Sequence, residues 1–333
     1  MNNKNILILG GGGYVGCNLV RKLLNQGHNV IVYDLLLYKE NVFSDILKNR
    51  KLKIVKEDIR NLNKLESYLE NINIIIHLAC ISNDPSYELN PKLGEDINYK
   101  CFPKLMNKIK KFNINQFIYA SSSSVYGIKD EPSVTEDLKA EPITDYSKFK
   151  LECENVLLNN EGKFLKTVIR PATVCGYSER QRLDVIVNIL TNHAFFNKKI
   201  IIHGGEQLRP NIHIDDMTDS YIHVIKNAEA SNNEVFNVGD ENHSVNKLAE
   251  MVNKSCPDAK LIREKVLDQR SYKISSEKIY NKIGFKTKKT IKNAIDDLVD
   301  AFLSKKLLNT FEDDSYYNIK IINKKISSLI NDW

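Results

Sequence analysis

Short apolar runs alternate with longer amphipathic stretches through the first half of the chain. The amphipathic stretches repeat apolar residues at helical spacing, whereas the runs have the length and polar boundaries of buried strands. The predicted strands lie at 6–9, 28–33, 53–55, 72–77, 116–120 and 165–170, and helices follow the first strand and lie at 62–69, 95–111 and 145–158. Such alternation predicts an α/β fold with a doubly wound parallel sheet of the Rossmann type.

The alternation weakens after Gly176. Helices are predicted at 183–193, 246–254 and 290–303, and short strands at 200–203 and 236–239. We therefore predict a first domain over 1–176 and a smaller C-terminal substrate lobe mainly over 177–333, with part of 210–245 returning to the first domain. The tail from Lys305 onward is rich in lysine and asparagine, and the pattern assigns it no role.

A glycine-rich turn directly follows the first strand, as Gly10-Gly11-Gly12-Gly13-Tyr14-Val15-Gly16. Four glycines alone could be a flexible turn. Here strand, turn, helix, second strand and acid come in order, and that order predicts a dinucleotide site. Gly10 permits the tight turn, Gly13 lets the backbone approach a pyrophosphate, and Gly16 lets the helix pack close to the strand.

The acid is Asp34, at the end of the second strand. Its carboxylate can bind both ribose hydroxyls and would repel a 2′-phosphate, so the predicted cofactor is NAD rather than NADP. The helix N-terminus after the glycines supplies N–H groups and a positive dipole end for the phosphates.

Composition and charge exclude several other classes. The 333 residues contain no apolar stretch of the ~20 residues that a membrane span needs, and the polar start enters the first strand too soon for a signal peptide. The six cysteines form no CxxC pair, so we expect no metal site and no disulfides, but reduced thiols in a cytoplasmic protein. The net charge of +6 is spread over lysines without a basic aromatic stripe, so no nucleic acid partner is predicted.

Two polar clusters follow elements that converge at the carboxyl ends of the strands. Ser121-Ser122-Ser123-Ser124-Val125-Tyr126-Gly127 comes directly after the strand 116–120. Tyr146 and Lys150 lie four residues apart, so on a helix they share one face. An ammonium and a positive nicotinamide would lower the pKa of the phenol, which could then take a proton from a sugar hydroxyl. A serine hydroxyl would position the reacting oxygen.

With these motifs the chain resembles the extended short-chain dehydrogenase/reductase family, in particular its nucleotide-sugar epimerase/dehydratase group. Gly10, Gly13 and Gly16 match its GxxGxxG form, and His77-Leu78-Ala79-Cys80 is similar to its HLAA segment. The resemblance implies that Tyr146, Lys150 and Ser122 are catalytic. It implies cofactor contacts at Gly10, Gly13, Tyr14, Val15, Gly16, Asp34, Asp58, Ile59, Leu78, Ala79, Tyr146, Lys150 and Pro171.

The resemblance also implies a nucleoside-diphosphate sugar as substrate. The implied substrate residues are Ser122, Ser123, Ser124, Thr173, Arg182, Arg209 and Arg270. Guanidinium groups suit a diphosphate because they form paired hydrogen bonds. A homodimer through the helices near 95–111 and 145–158 is implied as well.

The chain differs from some members of this group at residues that decide which reaction is catalysed. The 4,6-dehydratases carry an Asp-Glu pair after the catalytic threonine, and Ser123-Ser124 stand there instead. We therefore expect an epimerase that oxidises C4 of the sugar and disfavour a dehydratase or decarboxylase. A 4-dehydrogenase that releases the keto sugar would use the same residues, so it stays open. A non-catalytic NAD-binding regulator is a third possibility, which the intact Tyr146/Lys150 pair disfavours.

Overall fold

The structure is a computed structural model that describes residues 3–264 and 271–331. Its strands are β1 Asn5–Leu9, β2 Asn29–Asp34, β3 Leu52–Lys56, β4 Ile74–His77, β5 Gln116–Ala120, β6 Leu165–Pro171, β7 Thr173–Cys175, β8 Lys199–His203, β9 Leu208–His213, β10 Glu234–Val238, β11 Glu241–Ser244 and β12 Lys260–Glu264. Its helices are α1 Gly16–Asn25, α2 Leu62–Glu66, α3 Asp84–Glu88, α4 Pro91–Glu95, α5 Cys101–Ile109, α6 Asp145–Leu158, α7 Ile186–Asn197, α8 Ile214–Lys226, α9 Val245–Ser255, α10 Glu277–Ile283, α11 Ile291–Leu303 and α12 Asn318–Asn331.

The described residues form a central sheet of seven parallel strands in the order β10-β6-β5-β4-β1-β2-β3. The chain runs from β1 outward to β3 and then returns to the other side of β1 with β4. This reversal creates a crevice at the carboxyl ends of the strands, where open α/β sheets bind ligands. The predicted α/β fold with a doubly wound sheet is confirmed.

Helix α6 begins and ends at the predicted residues because its start is capped. The Thr144 hydroxyl accepts a hydrogen bond from the Ser147 N–H at 3.3 Å, and Ser147 bonds back to Thr144. The inner face of α6 contributes two residues to the core. Cys153 and Leu157 are buried, whereas Phe149 is half-buried and stacks on Tyr99 with ring centroids 5.2 Å apart.

Three other helix predictions need correction. The helix expected at 95–111 consists of α4, a π-helical turn at Asp96–Lys100, and α5. The helix expected at 62–69 ends as α2 at Glu66, because the following amides bond only three residues back. The helix expected at 183–193 begins later, as α7, because the backbone at Val185 is still extended, with φ −112° and ψ 149°.

Outside the central sheet, the described residues form two small sheets and a helical core. Strands β11, β9 and β7 form one sheet, and β12 pairs with β8. Helices α7, α9 and α11 pack around an apolar core of their own. The chain also returns to the first domain: β10 pairs with β6, and α8 contributes Tyr221, Ile222 and Ile225 to the core shared with α1.

The tail contains α12, which lies against the first domain. Ile322 and Leu329 are buried in the core that holds Leu7, Leu9 and Tyr33 of the central sheet. Sequence analysis assigned no role to this segment. None of the helices in the described residues is both long and apolar enough to cross a bilayer.

His77 ends β4 and is buried among aromatic rings. Its ring lies 5.3 Å from that of Phe102 and 5.6 Å from that of Tyr119, between centroids. Neither ring nitrogen is hydrogen-bonded to another residue of the described chain. Burial lowers the pKa of His77 to about 3, and the Lys150 cation acts in the same direction.

We expect this histidine to make the protein less stable in acid. Its unfolded-state pKa is near the ordinary 6.5, so below that pH the unfolded chain binds a proton that the folded chain excludes. The resulting loss is up to about 1.4 kcal/mol per pH unit between pH 6 and 4. The His77→Leu variant should lack this component, so its free energy of unfolding relative to the parent should rise as pH falls. Urea titrations at pH 7.5, 6 and 5 measure it, and a constant difference would contradict the assignment.

Candidate functional site

A cavity of about 460 Å³ lies at the carboxyl ends of the central strands. Its wall includes the glycine turn after β1, the end of β2, the loop after β5 and the start of α6. We call residues 121–127 the serine loop. The cavity therefore brings together the two motif groups that the sequence separates by more than a hundred residues.

The glycine turn has the close contacts that its residues require. Gly10 has φ +83°, and a Cβ there would lie 2.5 Å from the Ala79 nitrogen. A Cβ on Gly16 would lie 2.6 Å from the Gly10 carbonyl oxygen. A Cβ on Gly13 would meet only that oxygen, at 3.4 Å, so Gly13 presents open space on the cavity wall. This cradle fits a pyrophosphate.

Helix α1 begins at this turn without a side-chain cap. Its first amide groups therefore lack a side-chain acceptor, which is the arrangement that anions use at helix N-termini. Tyr14 and Val15 lie beside them on the cavity wall. The Tyr14 hydroxyl donates to the Gly176 carbonyl at 2.6 Å, which ties the turn to the segment after β7.

The Asp34 carboxylate stands at the edge of the glycine turn. It accepts hydrogen bonds from the Gly12 N–H at 2.9 Å and the Leu36 N–H at 2.7 Å. Burial raises the pKa of Asp34, and these two bonds oppose that shift. The amides fix the carboxylate at the cavity wall, where it can bind ribose hydroxyls.

The same end of the cavity is lined by Asp58, Ile59, Leu78 and Ala79. The Asp58 carboxylate is held by Arg60, whose guanidinium lies 2.8 Å away. The loop after β4 is held by a residue that sequence analysis missed. The side chain of Asn98 accepts from the Ile81 N–H at 2.8 Å and donates to the Ile81 carbonyl at 3.0 Å. The sequence does not predict this role of Asn98, because only the fold brings its helix to face that loop.

Tyr146 and Lys150 both line the cavity and share the inner face of α6. The Lys150 ammonium lies 5.8 Å from the Tyr146 ring centroid and donates to the Ala120 carbonyl at 2.7 Å. The pair thus faces the crevice above the glycine turn, as the spacing predicted.

The predicted low pKa of Tyr146 is not present in the chain by itself. Burial raises the pKa of Tyr146 to about 12, and the Lys150 cation opposes this shift without overcoming it. Burial depends on the whole fold, so four-residue spacing alone does not reveal it. A second positive charge beside the ring is needed to favour the phenolate further.

The serine loop presents Ser122 to the same cavity. Ser122 is extended, with φ −158°, and its Oγ accepts from the Ser124 N–H at 3.1 Å and the Ser124 hydroxyl at 2.9 Å. Ser124 is the donor in both of these bonds. The hydrogen of the Ser122 hydroxyl is therefore not used in either bond and can be donated to a ligand. The Ser123 hydroxyl lies 3.2 Å from that of Tyr272.

A buried ion pair joins the serine loop to α6 from behind. The Arg170 guanidinium contacts Glu154 at 2.6 Å and the Tyr126 hydroxyl at 2.8 Å, and Ser121 donates to Glu154. The side chains of Arg170 and Glu154 are only 8% and 2% exposed. This network fixes the loop that carries Ser122 against the helix that carries Tyr146.

The predicted substrate residues within the described chain all line this cavity: Ser122, Ser123, Ser124, Thr173, Arg182 and Arg209. Pro171, which was predicted to contact the cofactor, lines it as well. Arg182 is paired with Asp184 at 2.6 Å and donates to the Ser82 hydroxyl at 3.2 Å. Arg270 lies outside the described residues.

Arg180 also lies on the cavity wall, although it is not among the residues that the sequence predicts for the site. Its guanidinium lies 4.0 Å above the Tyr38 ring and donates to the Asn318 side chain. Burial lowers its pKa to about 10. Arg180 could not be predicted from the sequence, because its contact with Asn318 joins residues that are far apart in the chain.

One group of His and carboxylate residues in the described chain has metal-like spacing, formed by His213, Asp215 and Asp297. Both ring nitrogens of His213 are already used. Nδ1 accepts from the Asp215 N–H at 3.0 Å, and Nε2 contacts Asp297 at 3.0 Å. His213 therefore caps the start of α8 and contacts Asp297, and these two roles explain why the three residues lie together.

Comparison with known proteins gives a consistent family. The model of the NAD dependent epimerase/dehydratase family matches residues 6–239. A UDP-glucose 4-epimerase of Lactobacillus helveticus is 26% identical over 254 residues, in an alignment that covers 70% of this chain and 76% of the relative. A dTDP-D-glucose 4,6-dehydratase of Dictyostelium discoideum is 30% identical over 266 residues, in an alignment that covers 72% of this chain and 61% of the relative.

Solved structures show the same fold. The UDP-glucuronic acid 4-epimerase of Bacillus cereus, in complex with UDP-glucuronic acid and NAD, superposes with a TM-score of 0.80. The alignment covers 90% of this chain and 99% of that chain at 23% sequence identity. The architecture is therefore shared across nearly the whole chain.

Proposed function

Because the chain belongs to the NAD-dependent epimerase/dehydratase family, we propose that it is a nucleotide-sugar 4-epimerase that acts through a 4-keto sugar. The observation that carries this proposal is the meeting of Tyr146, Lys150 and Ser122 on one cavity wall with the glycine turn and Asp34. The family is NAD dependent, and the cradle at Gly13 fits the pyrophosphate of that cofactor.

In this proposal Tyr146 takes the proton of the sugar O4 hydroxyl, and Ser122 holds that oxygen by a hydrogen bond. Lys150 stabilises the phenolate by its charge. Bound NAD supplies a reversible acceptor for the hydride from C4. After the keto sugar has presented its other face, C4 takes the hydride back on that face and Tyr146 returns the proton to O4, so that no NAD is consumed.

The serine loop favours epimerisation over elimination. Loss of the 6-hydroxyl needs a positioned acid and base, and positions 123 and 124 carry hydroxyls instead of carboxylates. Ser123 contacts Tyr272, and Ser124 donates to Ser122. Both side chains therefore help to hold the loop. Neither is a carboxylic acid, so neither can serve as the acid or base that elimination needs at C5 and C6.

Product identity tests the proposal. A panel of uridine, thymidine, guanosine and cytidine diphosphate sugars would first be screened for those that raise the thermal midpoint of the NAD-loaded protein. The purified protein would then be incubated with NAD and each of these sugars. A 4-epimer at constant NAD supports an epimerase. A 4-keto-6-deoxy sugar would identify a dehydratase, and a ketone with stoichiometric NADH a 4-dehydrogenase. NAD binding without turnover on any sugar would identify a regulator.

The Gly13→Ala variant tests the cofactor cradle separately from folding. A Cβ at Gly13 meets only one atom, at ordinary contact distance, so the free energy of unfolding should change by less than about 1 kcal/mol. The same methyl group would occupy the space of the pyrophosphate, so the Kd for NAD should rise by roughly tenfold or more. Calorimetric titration measures the affinity. Unchanged NAD binding in this variant would place the cofactor elsewhere.

Two further features belong to the proposal. We place the protein in the cytoplasm, because its six cysteines are free in the structure and a reducing compartment keeps thiols so. We also propose a homodimer formed through α5 and α6, which light scattering of the purified protein would test.

A further inference from the structure

The C-terminal helix α12 lies on the wall of the cofactor cavity. Ile322, Ile326 and Leu329 follow helical spacing and face the first domain, where Ile322 is 1% exposed. Asn318, Ile322 and Leu329 also line the cavity. The helix lies beyond residues 6–239, which the family model matches.

Hydrogen bonds hold α12 to residues that surround the same end of the cavity. Arg60, which pairs with Asp58, donates to the Leu329 carbonyl at 2.8 Å. The Lys325 ammonium donates to the Leu37 carbonyl at 3.0 Å. Asp58 lines the cavity, and Leu37 follows Asp34 closely in the chain. The end and the middle of α12 are therefore anchored on the side where Asp34 and Asp58 stand.

The start of α12 is anchored to a buried cation. The Asn318 N–H donates to Asp184 at 2.8 Å, and the Asn318 side-chain oxygen accepts from Arg180. Arg180 is fully buried, and its Nε has no hydrogen-bond partner within the described chain. The start of α12 therefore holds a buried positive charge at the cavity wall, where it favours an anionic or oxygen-rich ligand.

We propose that α12 is part of the cofactor site: it covers the adenosine half of NAD and holds the cofactor against release. Ile322 and Leu329 supply the apolar cover, and Asn318 holds Arg180 at the cavity wall. The inference rests on the proposed binding of NAD. A terminal helix with mostly exposed polar residues opens more easily than the central sheet, so cofactor exchange proceeds through undocking of α12.

The experiment compares the full chain with a chain that ends at Tyr317 and with two matched point variants. Ile322→Asp places a charge on the cavity side of α12, and Ile319→Asp makes the same change at a residue that is 38% exposed. We expect truncation and Ile322→Asp to raise both the NAD dissociation rate and the Kd by roughly tenfold or more, and Ile319→Asp to leave them within about twofold. AMP should lose affinity in parallel. Circular dichroism and the thermal midpoint without cofactor check folding.

A measurement on the unmodified chain covers the case in which both variants fail to fold. Lys320, Lys324 and Lys325 are trypsin sites within α12, and saturating NAD should slow their cleavage by about tenfold or more if the helix closes over the cofactor. Equal NAD release from the folded truncated chain, or tryptic cleavage of α12 that NAD leaves unchanged, would overturn the inference. Failure of the full chain to bind NAD would instead overturn the proposed function.

Discussion

The Tyr146→Phe variant is expected to keep its NAD and to lose nucleotide-sugar turnover by about 10²–10⁴-fold. The substitution removes only the hydroxyl that exchanges a proton with the sugar. The ring itself packs on the inner face of α6 beside Lys150, and phenylalanine can fill the same space. Turnover under saturating substrate and NAD titration of the same preparation measure the two effects.

The pH profile of the parent enzyme provides a second measure of the same role. Burial raises the pKa of Tyr146 to about 12 in the chain alone, so the base is protonated at neutral pH. The rate should therefore rise with pH toward the lower pKa that the tyrosine has beside the bound nicotinamide. Tyr146→Phe should lose this dependence.

The control is Tyr119→Phe. Tyr119 is buried, and its ring lies 5.1 Å from the Lys150 ammonium, but the residue does not line the cavity. Its loss should change turnover by less than about fivefold. If Tyr146→Phe retained turnover within tenfold of the parent, Tyr146 would not be the base.

The Arg170→Met variant is expected to lose about 3–5 kcal/mol of its free energy of unfolding. It leaves the Glu154 carboxylate buried, with only the Ser121 hydroxyl remaining from the network described above. A buried charge without its partner is among the few causes of so large a loss. Urea unfolding followed by circular dichroism measures it, provided that the slope of the transition stays unchanged.

Two comparisons make this result specific to the buried pair. The double variant Arg170→Met with Glu154→Met should recover most of the loss, because both charges are then absent. Lys292→Met breaks the Lys292–Asp296 pair, whose side chains are 68% and 38% exposed, and should cost less than about 1 kcal/mol. A loss below 1 kcal/mol in Arg170→Met would show that the pair contributes little.

The first half of the fold could be predicted because its signals are local. Each strand of the central sheet is a short apolar run, and the glycine turn with Asp34 identifies the sheet edge that binds the cofactor. Helix α6 has its predicted bounds because its apolar spacing continues to Leu157, and the structure adds the cap at Thr144. Tyr146 and Lys150 followed from that helix.

The features that were missed depend on contacts between distant residues. Asn98 is one polar residue on a helix, and only the fold brings it to Ile81. Arg180 and Asn318 lie more than a hundred residues apart, and their contact connects the tail to the cofactor cavity. The pKa of Tyr146 depends on how deeply the fold buries the phenol. The spacing of residues in the sequence does not reveal that burial.

The return of β10 to the edge of the central sheet limits how this protein can be divided. Residues 1–176 alone would lack β10 and α8, so β6 would present an unpaired edge and α1 would expose the apolar residues that α8 covers. We expect such a fragment to aggregate. Residues 1–176 are therefore not a transferable module, and a gene fusion that borrowed them would have to carry the later segments too.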